Sequence, residues 1–306
     1  MGIRDDVSAM VTLRDVLRLA VSRFRAAGLF HGHGSAEAID EAVFLILETL
    51  DLPIDDFNAF ADARLTPAEL GILGDRIARR VEERVPAAYL TGRSWLKGHR
   101  FRCDSRALVP RSFIADLLFS PLFDGSGEGI ALIDEPEAVA SVLDLCTGGG
   151  SLAILAARVF PNAAIDAVDL SAEALALAGE NVADHGLGDR IRLVRGDLFD
   201  ALAGRRYDLI LTNPPYVDAE TMAQLPPEFR AEPVMALAGG DDGFEIVRRI
   251  LASAGRHLND GGGLLCEIGL DRDILEAEYP DTDFLWLDTE GSAGEVFWLT
   301  KDQLER

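Results

Sequence analysis

The 306-residue sequence predicts an α/β protein: a doubly wound, seven-stranded sheet whose last strand runs antiparallel, preceded by a small helical bundle. Three observations predict it. The first ninety or so residues carry amphipathic helical patterns throughout. From Ser141 onward, short apolar runs of strand length alternate with helical segments, at least in the earlier part. One of those runs, Leu209-Ile210-Leu211-Thr212, stops abruptly in Asn213-Pro214-Pro215-Tyr216, as a buried parallel strand does when its next residues cannot donate to a sheet ladder.

In chain order, Thr12 with Asp15 three residues later forms a capping box. Leu13, Val16, Leu17, Ala20 and Phe24 then share one helix face that ends near Gly28. A second helix is expected from about Ser35 to Leu50, with Ile39, Val43, Ile46 and Leu47 inward, stopping before Pro53. Thr66-Pro67-Ala68-Glu69 opens a third with an N-cap, a proline at the first helical position and a glutamate reaching back. Leu70, Leu73, Ile77 and Val81 form its stripe. Opposed stripes on short helices make a bundle that either binds a partner or covers the next domain. From Trp95 to Val109, apolar and charged residues alternate as in a hairpin linker. Asp124 to Gly129 and the acidic Asp134 to Glu137 read as a loop.

The sheet domain should hold strands near 141–146, 164–169, 190–195, 207–213, 262–268, 283–287 and 295–300. Too few residues separate the last two for a helical crossover, which is why the final strand is expected to be antiparallel. The organisation is thus a helical domain over 1–92, a hairpin linker and loop over 93–137, and the sheet domain over 138–306.

Composition limits the function classes. No stretch approaches a membrane span, and the amino terminus carries Asp5 and Asp6 in place of a basic segment before an apolar core, so no signal peptide is expected. Cys103, Cys146 and Cys266 are far apart and odd in number, which fits a reducing cytosol and argues against disulfides and structural zinc. His31-Gly32-His33-Gly34 lacks a third ligand, and no metal is assigned to it. A net charge of −23 opposes nucleic-acid binding; it suits a cationic protein partner, or serves solubility alone.

Val142-Leu143-Asp144-Leu145-Cys146-Thr147-Gly148-Gly149-Gly150 is a buried strand feeding a glycine turn and then a helix, where an open α/β sheet binds its ligand. Gly148, Gly150 and Ala153, with Asp169 further on, also satisfy the loose dinucleotide fingerprint, so the glycines alone leave a nicotinamide cofactor open. Asp144 inside the strand and the later Asn-Pro-Pro-Tyr favour S-adenosylmethionine. Glycines at 148 and 150 allow close backbone approach, and the helix amino terminus favours a carboxylate. Asp144 would meet the ammonium group through water or backbone, Asp169 would accept from both ribose hydroxyls, and Asp197 would accept from the adenine amino group. The competing reading for Asp169 and Asp197 is a helix N-cap after a strand.

Asn213-Pro214-Pro215-Tyr216 offers a side-chain amide oxygen, a carbonyl aimed by proline geometry and a flat ring. Together they suit a planar group bearing an NH2.

With these residues assembled, the chain resembles the class I S-adenosylmethionine-dependent methyltransferases of the glutamine-methylating group, and within it the PrmB type. The resemblance covers nearly the whole chain. Its broad markers are Asp144 to Gly150 and Asn213 to Tyr216. Its narrower ones are Gly32-His33-Gly34, Arg84 with Pro86-Ala87-Ala88-Tyr89-Leu90, Val109-Pro110-Arg111-Ser112, and Glu232-Pro233 with Gly239 to Gly243. The resemblance implies a Rossmann-like methyltransferase sheet, a substrate-binding role for residues 1–92, a cytoplasmic setting and methylation of a glutamine side-chain nitrogen in large-subunit ribosomal protein three.

The cofactor would then contact Asp144, Cys146, Thr147, Gly148, Gly149, Gly150, Asp169, Asp197, Leu198 and Asn213. The glutamine would contact Asn213, Pro214, Pro215, Tyr216 and Arg111, with Asn213, Pro214 and Tyr216 catalytic. The sister group acting on peptide release factors has Arg where Val234 stands and lacks the Gly-His-Gly segment. Adenine-methylating DNA enzymes share the four-residue motif but not the acidic charge. A cofactor-binding assembly factor that no longer catalyses is the remaining alternative.

Overall fold

The computed structural model describes every residue except Met1, Ala36, Glu128 and Ile130. Ala36 of the expected second helix, and Glu128 of the expected 124–129 loop, therefore lie outside the described residues. The amino-terminal region packs helices Ile3–Ser8, Leu13–Ala26, Ala38–Thr49 and Pro67–Glu82 around a common core that includes Val16, Phe24, Ile46, Leu73 and Ile77. Both anticipated capping boxes close. Thr12 Oγ1 accepts from the Asp15 N–H while Asp15 Oδ2 accepts from the Thr12 N–H, and Thr66 and Glu69 repeat the exchange. The second helix begins at Ala38, three residues later than its apolar pattern suggests, with Glu37 as an N-cap that makes no side-chain bond.

Strands β1 (Arg93–Leu96) and β2 (His99–Arg102) form an antiparallel hairpin. Its two-residue turn, Lys97-Gly98, has φ of 50° and 75°, the doubly left-handed turn that matches strand twist.

The main sheet contains β3 (Ser141–Leu145), β4 (Ala164–Asp169), β5 (Ile191–Arg195), β6 (Tyr207–Thr212), β7 (Leu258–Glu267), β8 (Leu285–Thr289) and β9 (Ser292–Thr300), in the spatial order β5-β4-β3-β6-β7-β9-β8. The first five are parallel, and β9 lies antiparallel between β7 and β8. The expected antiparallel final strand is present because only Glu290 and Gly291 separate β8 from β9.

Alternate residues of the central strands enter opposite cores. Val142, Leu209 and Leu211 pack with Leu152, Ile154 and Leu155 of helix Ser151–Val159. Leu143, Leu145 and Ile210 pack with Val247, Ile250 and Leu251 of helix Glu245–Ala254. Burying both faces explains why these strands read as unbroken apolar runs. No described helix is long and apolar enough to cross a membrane.

The strand order also positions the site. The chain winds outward from β3 through β4 to β5, then returns to place β6 on the other side of β3. The crevice between the carboxyl ends of β3 and β6 is the switch point, and both the glycine turn and Asn213 emerge there.

Candidate active site at the switch point

A cavity of about 220 Å³ opens at this crevice. Cys146 and Gly148 follow β3, Asp169 ends β4, Asp197 follows β5 and Asn213 follows β6, so four consecutive strand ends each contribute to its wall. Apolar surface from Ala107, Leu108, Ala174, Pro233 and Ile246 completes it.

Asp169 is held by backbone: its Oδ2 accepts from the Gly148 N–H and its Oδ1 from the Ser171 N–H, both at 2.8 Å. Burial pushes its carboxyl up from the usual range. Ser171, not Asp169, caps the helix Ala172–Asp184, so the N-cap reading of Asp169 fails. Asp197 starts no helix either. It pairs with Arg249 at 2.8 Å and stays about two-fifths exposed. Carboxylates on apolar walls suit a ligand that combines a flat apolar body with hydroxyl or amino donors.

Cys146 in the cavity wall and Leu198, which follows the wall residue Asp197, hold left-handed backbone at φ 57° and 50°. Such conformations cost about 1–3 kcal/mol each and persist where the surroundings impose them, typically at ligand sites.

Several expected cofactor residues stand behind the wall instead of in it. Asp144 is fully buried, and its Oδ2 accepts from Thr147 Oγ1 at 2.5 Å and from the Ala153 N–H at 3.0 Å, while Oδ1 has no hydrogen-bond partner. Burial raises its carboxyl to about 7. It shapes the turn and tethers the first residues of the next helix. The Gly149 carbonyl accepts from Asn181 Nδ2 at 2.8 Å. Gly150, at φ 82°, lies where a Cβ would come within 3.2 Å of Ala178 Cβ, so it serves helix packing. Leu198 is buried in the core.

At the other rim, Asn213 Nδ2 donates to the main-chain carbonyl of Arg111 at 3.4 Å. One N–H of the amide is thereby engaged, which orients the group and leaves Oδ1 as an acceptor with no protein donor among the described residues. Pro215 lines the cavity and Pro214 is buried. Tyr216 is enclosed by glycines: a Cβ on Gly239 would fall 2.7 Å from Tyr216 Cα, one on Gly243 2.4 Å from Tyr216 O, and one on Gly269 3.3 Å from Cδ2.

Arg111, expected to touch substrate, is not among the residues lining the cavity. Its guanidinium binds Glu232 in bidentate fashion at 2.7 and 2.8 Å and lies 5.5 Å from the centre of the Phe229 ring. Burial would push the Glu232 carboxyl up, but His33 and Arg111 outweigh it and hold it at about 2. The bidentate pair carries more of this than His33, whose Nε2 lies 3.3 Å from Oε2 without hydrogen-bond alignment.

Four residue groups were not among the expected site residues. Arg106, Ala107 and Leu108, at the end of the stretch expected as a hairpin linker, and Pro233, Met235, Ala236 and Ala238, at and after the Glu232-Pro233 marker, contribute to the cavity wall. Glu228 is buried, and its Oε1 accepts from the Phe30 N–H at 3.1 Å and pairs with Arg80 and Arg84, tying the loop after β6 to the helical region. Glu267 ends β7, accepts from Ser112 Oγ at 2.5 Å and the Phe113 N–H at 2.9 Å, and is raised by burial to about 7. A carboxylate closing the apolar run Leu264-Leu265-Cys266 was the available signal for it. Among the described residues, no group of three or more His, Cys, Asp or Glu side chains could hold a metal ion.

Residues 130–240 match the family described as Methyltransferase small domain. A ribosomal protein uL3 glutamine methyltransferase from Bradyrhizobium diazoefficiens is 54% identical over 97% of this chain and 92% of its own. One of the same name from Bordetella pertussis is 52% identical over 96% of each chain. Among solved structures, a methyltransferase from Pyrococcus furiosus aligns with a TM-score of 0.49 at 18% identity, covering 67% of this chain and 90% of its own.

Proposed function

From the premise that this chain belongs to the ribosomal protein uL3 glutamine methyltransferases, we propose that Asn213, Pro214 and Tyr216 present a glutamine side chain of uL3 to S-adenosylmethionine held in the switch-point cavity. The chain is a protein glutamine methyltransferase, S-adenosylmethionine is its methyl donor and uL3 its protein substrate.

The donor set fits that cofactor. Asp169 and Asp197 are acceptors for ribose hydroxyls and an adenine amino group, and the apolar wall suits a purine face. The Gly148 turn, at φ 54°, brings backbone close to the ligand without a side chain. Cys146 also faces the ligand. Asp144, Thr147, Gly149, Gly150 and Leu198 act through the shape of the loops that carry those groups.

The observation that carries the catalytic reading is the fixed polarity of Asn213. An amide nitrogen is a poor nucleophile because its lone pair is shared with its carbonyl. With Nδ2 committed to Arg111, Asn213 offers Oδ1 to one N–H of the substrate NH2, and the Pro214 carbonyl is the natural acceptor for the other. Accepting from both N–H bonds localises the lone pair on nitrogen and aims it. Tyr216 supplies a flat face for the carboxamide. When bound, S-adenosylmethionine supplies a methyl carbon made electrophilic by a sulfonium that leaves as a neutral thioether. No base need act before transfer, because the methylated nitrogen sheds its proton readily afterwards. Positioning and fixed dipoles supply the rate.

The helical region 1–92 is read as contacting uL3, supported by its ionic attachment to the loop after β6. A cytoplasmic setting is supported by a ribosomal protein substrate and three free cysteines. Incubation with methyl-labelled S-adenosylmethionine and a ribosomal extract from cells lacking this protein tests the whole reading. Label should map to one glutamine side-chain nitrogen of uL3; label on peptide release factors, or on nucleic acid, would overturn it.

A further inference from the structure

The bond from Asn213 Nδ2 to the Arg111 carbonyl is long, at 3.4 Å, so its existence depends on where the Arg111 peptide is held. That peptide lies between two buried carboxylates. On its amino-terminal side, Glu232 Oε1 accepts both from the Val109 N–H at 3.0 Å and from Arg111 Nη1 at 2.7 Å, and Oε2 accepts from Arg111 Nη2 at 2.8 Å. Pro110, fixed in φ, spans the two anchored residues. On the carboxyl-terminal side, Glu267 takes Ser112 Oγ and the Phe113 N–H. Glu232 comes from the loop after β6 and is only 3% exposed, and none of its contacts reaches the cavity directly.

We propose that Glu232 is a positioning residue for methyl transfer: by gripping Val109 and Arg111 together it sets the Arg111 carbonyl, and through that carbonyl the side-chain orientation of Asn213. This rests on the reading of Asn213 as the group that holds the substrate amide. Without the grip, Asn213 is free to rotate about its side-chain torsions, and its amide presents donor and acceptor to the substrate in turn. The loss should therefore fall on turnover and not on cofactor binding. It also gives the Gly32-His33-Gly34 segment a place, since His33 packs on Phe229 with ring centres 4.7 Å apart and reaches the same carboxylate.

The experiment compares Glu232→Gln, Arg111→Lys, Asn213→Ala and the Glu232→Gln/Asn213→Ala double variant. Glutamine keeps one acceptor oxygen but cannot serve both guanidinium nitrogens, and lysine lacks the planar fork. Glu232→Gln and Arg111→Lys should each lower kcat on the order of 10- to 100-fold, as a misplacement of about 1 Å does. KM for uL3 and the calorimetric Kd for S-adenosylmethionine should stay within about twofold. The double variant should lose no more than Asn213→Ala alone, because the two substitutions remove one function.

In spectra of protein labelled with 15N-asparagine, the Asn213 side-chain amide signal, identified by its disappearance in Asn213→Ala, should move or broaden in Glu232→Gln. Additive losses, an unmoved signal or undiminished kcat would overturn the proposal. Should Glu232→Gln fail to fold, Arg111→Lys carries the same test. If Asn213→Ala itself keeps its turnover, the catalytic reading falls instead, and the amide signal still reports whether Glu232 orients that side chain.

Discussion

Asp169 at the end of β4 and Gly148 in the turn after β3 are joined by a 2.8 Å bond from the glycine N–H to the carboxylate, so the acid that faces the cavity also closes the turn beside it. Both Asp169 oxygens are aligned by backbone donors, and each retains acceptor capacity for a ligand hydroxyl. Asp169→Ala should weaken S-adenosylmethionine binding about 10- to 100-fold, the equivalent of ~1.5–3 kcal/mol for bonds to a charged acceptor. Calorimetric titration measures it, and unchanged affinity would remove Asp169 from the ligand site.

Gly239 sits where a Cβ would lie 2.6 Å from the Gly243 carbonyl oxygen and 2.7 Å from Tyr216 Cα, both backbone atoms that cannot swing aside. Gly239→Ala should cost about 1–3 kcal/mol, the usual range for overpacking. It should also reduce turnover, because Tyr216 is displaced with its backbone. Urea denaturation and steady-state rates read the two effects separately.

Arg80 is fully buried in the helical region, paired to Glu41 on one side and to Glu228, from the loop after β6, on the other. Arg80→Met would leave two buried carboxylates short of a partner. Breaking a buried pair in this way costs about 3–5 kcal/mol. The midpoint of urea unfolding should fall accordingly, and a near-neutral result would show that Arg84 and water compensate.

Three buried carboxyls give the stability a pH dependence of known sign. Asp144 and Glu267 are raised by burial from 3.8 and 4.5 to about 7, so between those ordinary values and 7 the folded state keeps protons that the unfolded chain has lost. Their contribution to stability therefore declines as pH rises through that window and is constant above it. Glu232 behaves oppositely. Burial is outweighed by His33 and Arg111, the carboxyl is held at about 2, and the stabilisation it brings is complete above 4.5 and lost as pH falls towards 2. In ligand-free protein, Asp144→Asn should flatten the decline between about pH 4 and 7. Unfolding free energies at pH 4.5 and 7.5 check this; an unchanged slope would mean that Asp144 ionises normally.

Much of the architecture was legible because its causes are local. Capping at Thr12 and Thr66, doubly buried strands such as Leu209 to Thr212, and a connection too short for a helix before the last strand each leave a mark within a few residues. Of the candidate site, the residues at strand ends could be placed from sequence: Cys146, Gly148, Asp169, Asp197 and Asn213 line the cavity. It was not legible where distant segments meet. Asp144 and Gly150 look like ligand contacts in sequence, yet they face the packing beneath the turn. Arg111 carries a cation that suggests substrate contact, but Glu232, 121 residues away, claims it.

By itself, then, the sequence determined the α/β class, the succession of the seven main-sheet strands after three amino-terminal helices, and the residue types at each strand end, since periodicity, caps and prolines act over a few residues of backbone. Only the tertiary structure decided which side of a turn each polar group faces and which buried carboxylate holds which cation. Those pairings depend on the desolvation and close approach of segments more than a hundred residues apart, and no local pattern encodes them.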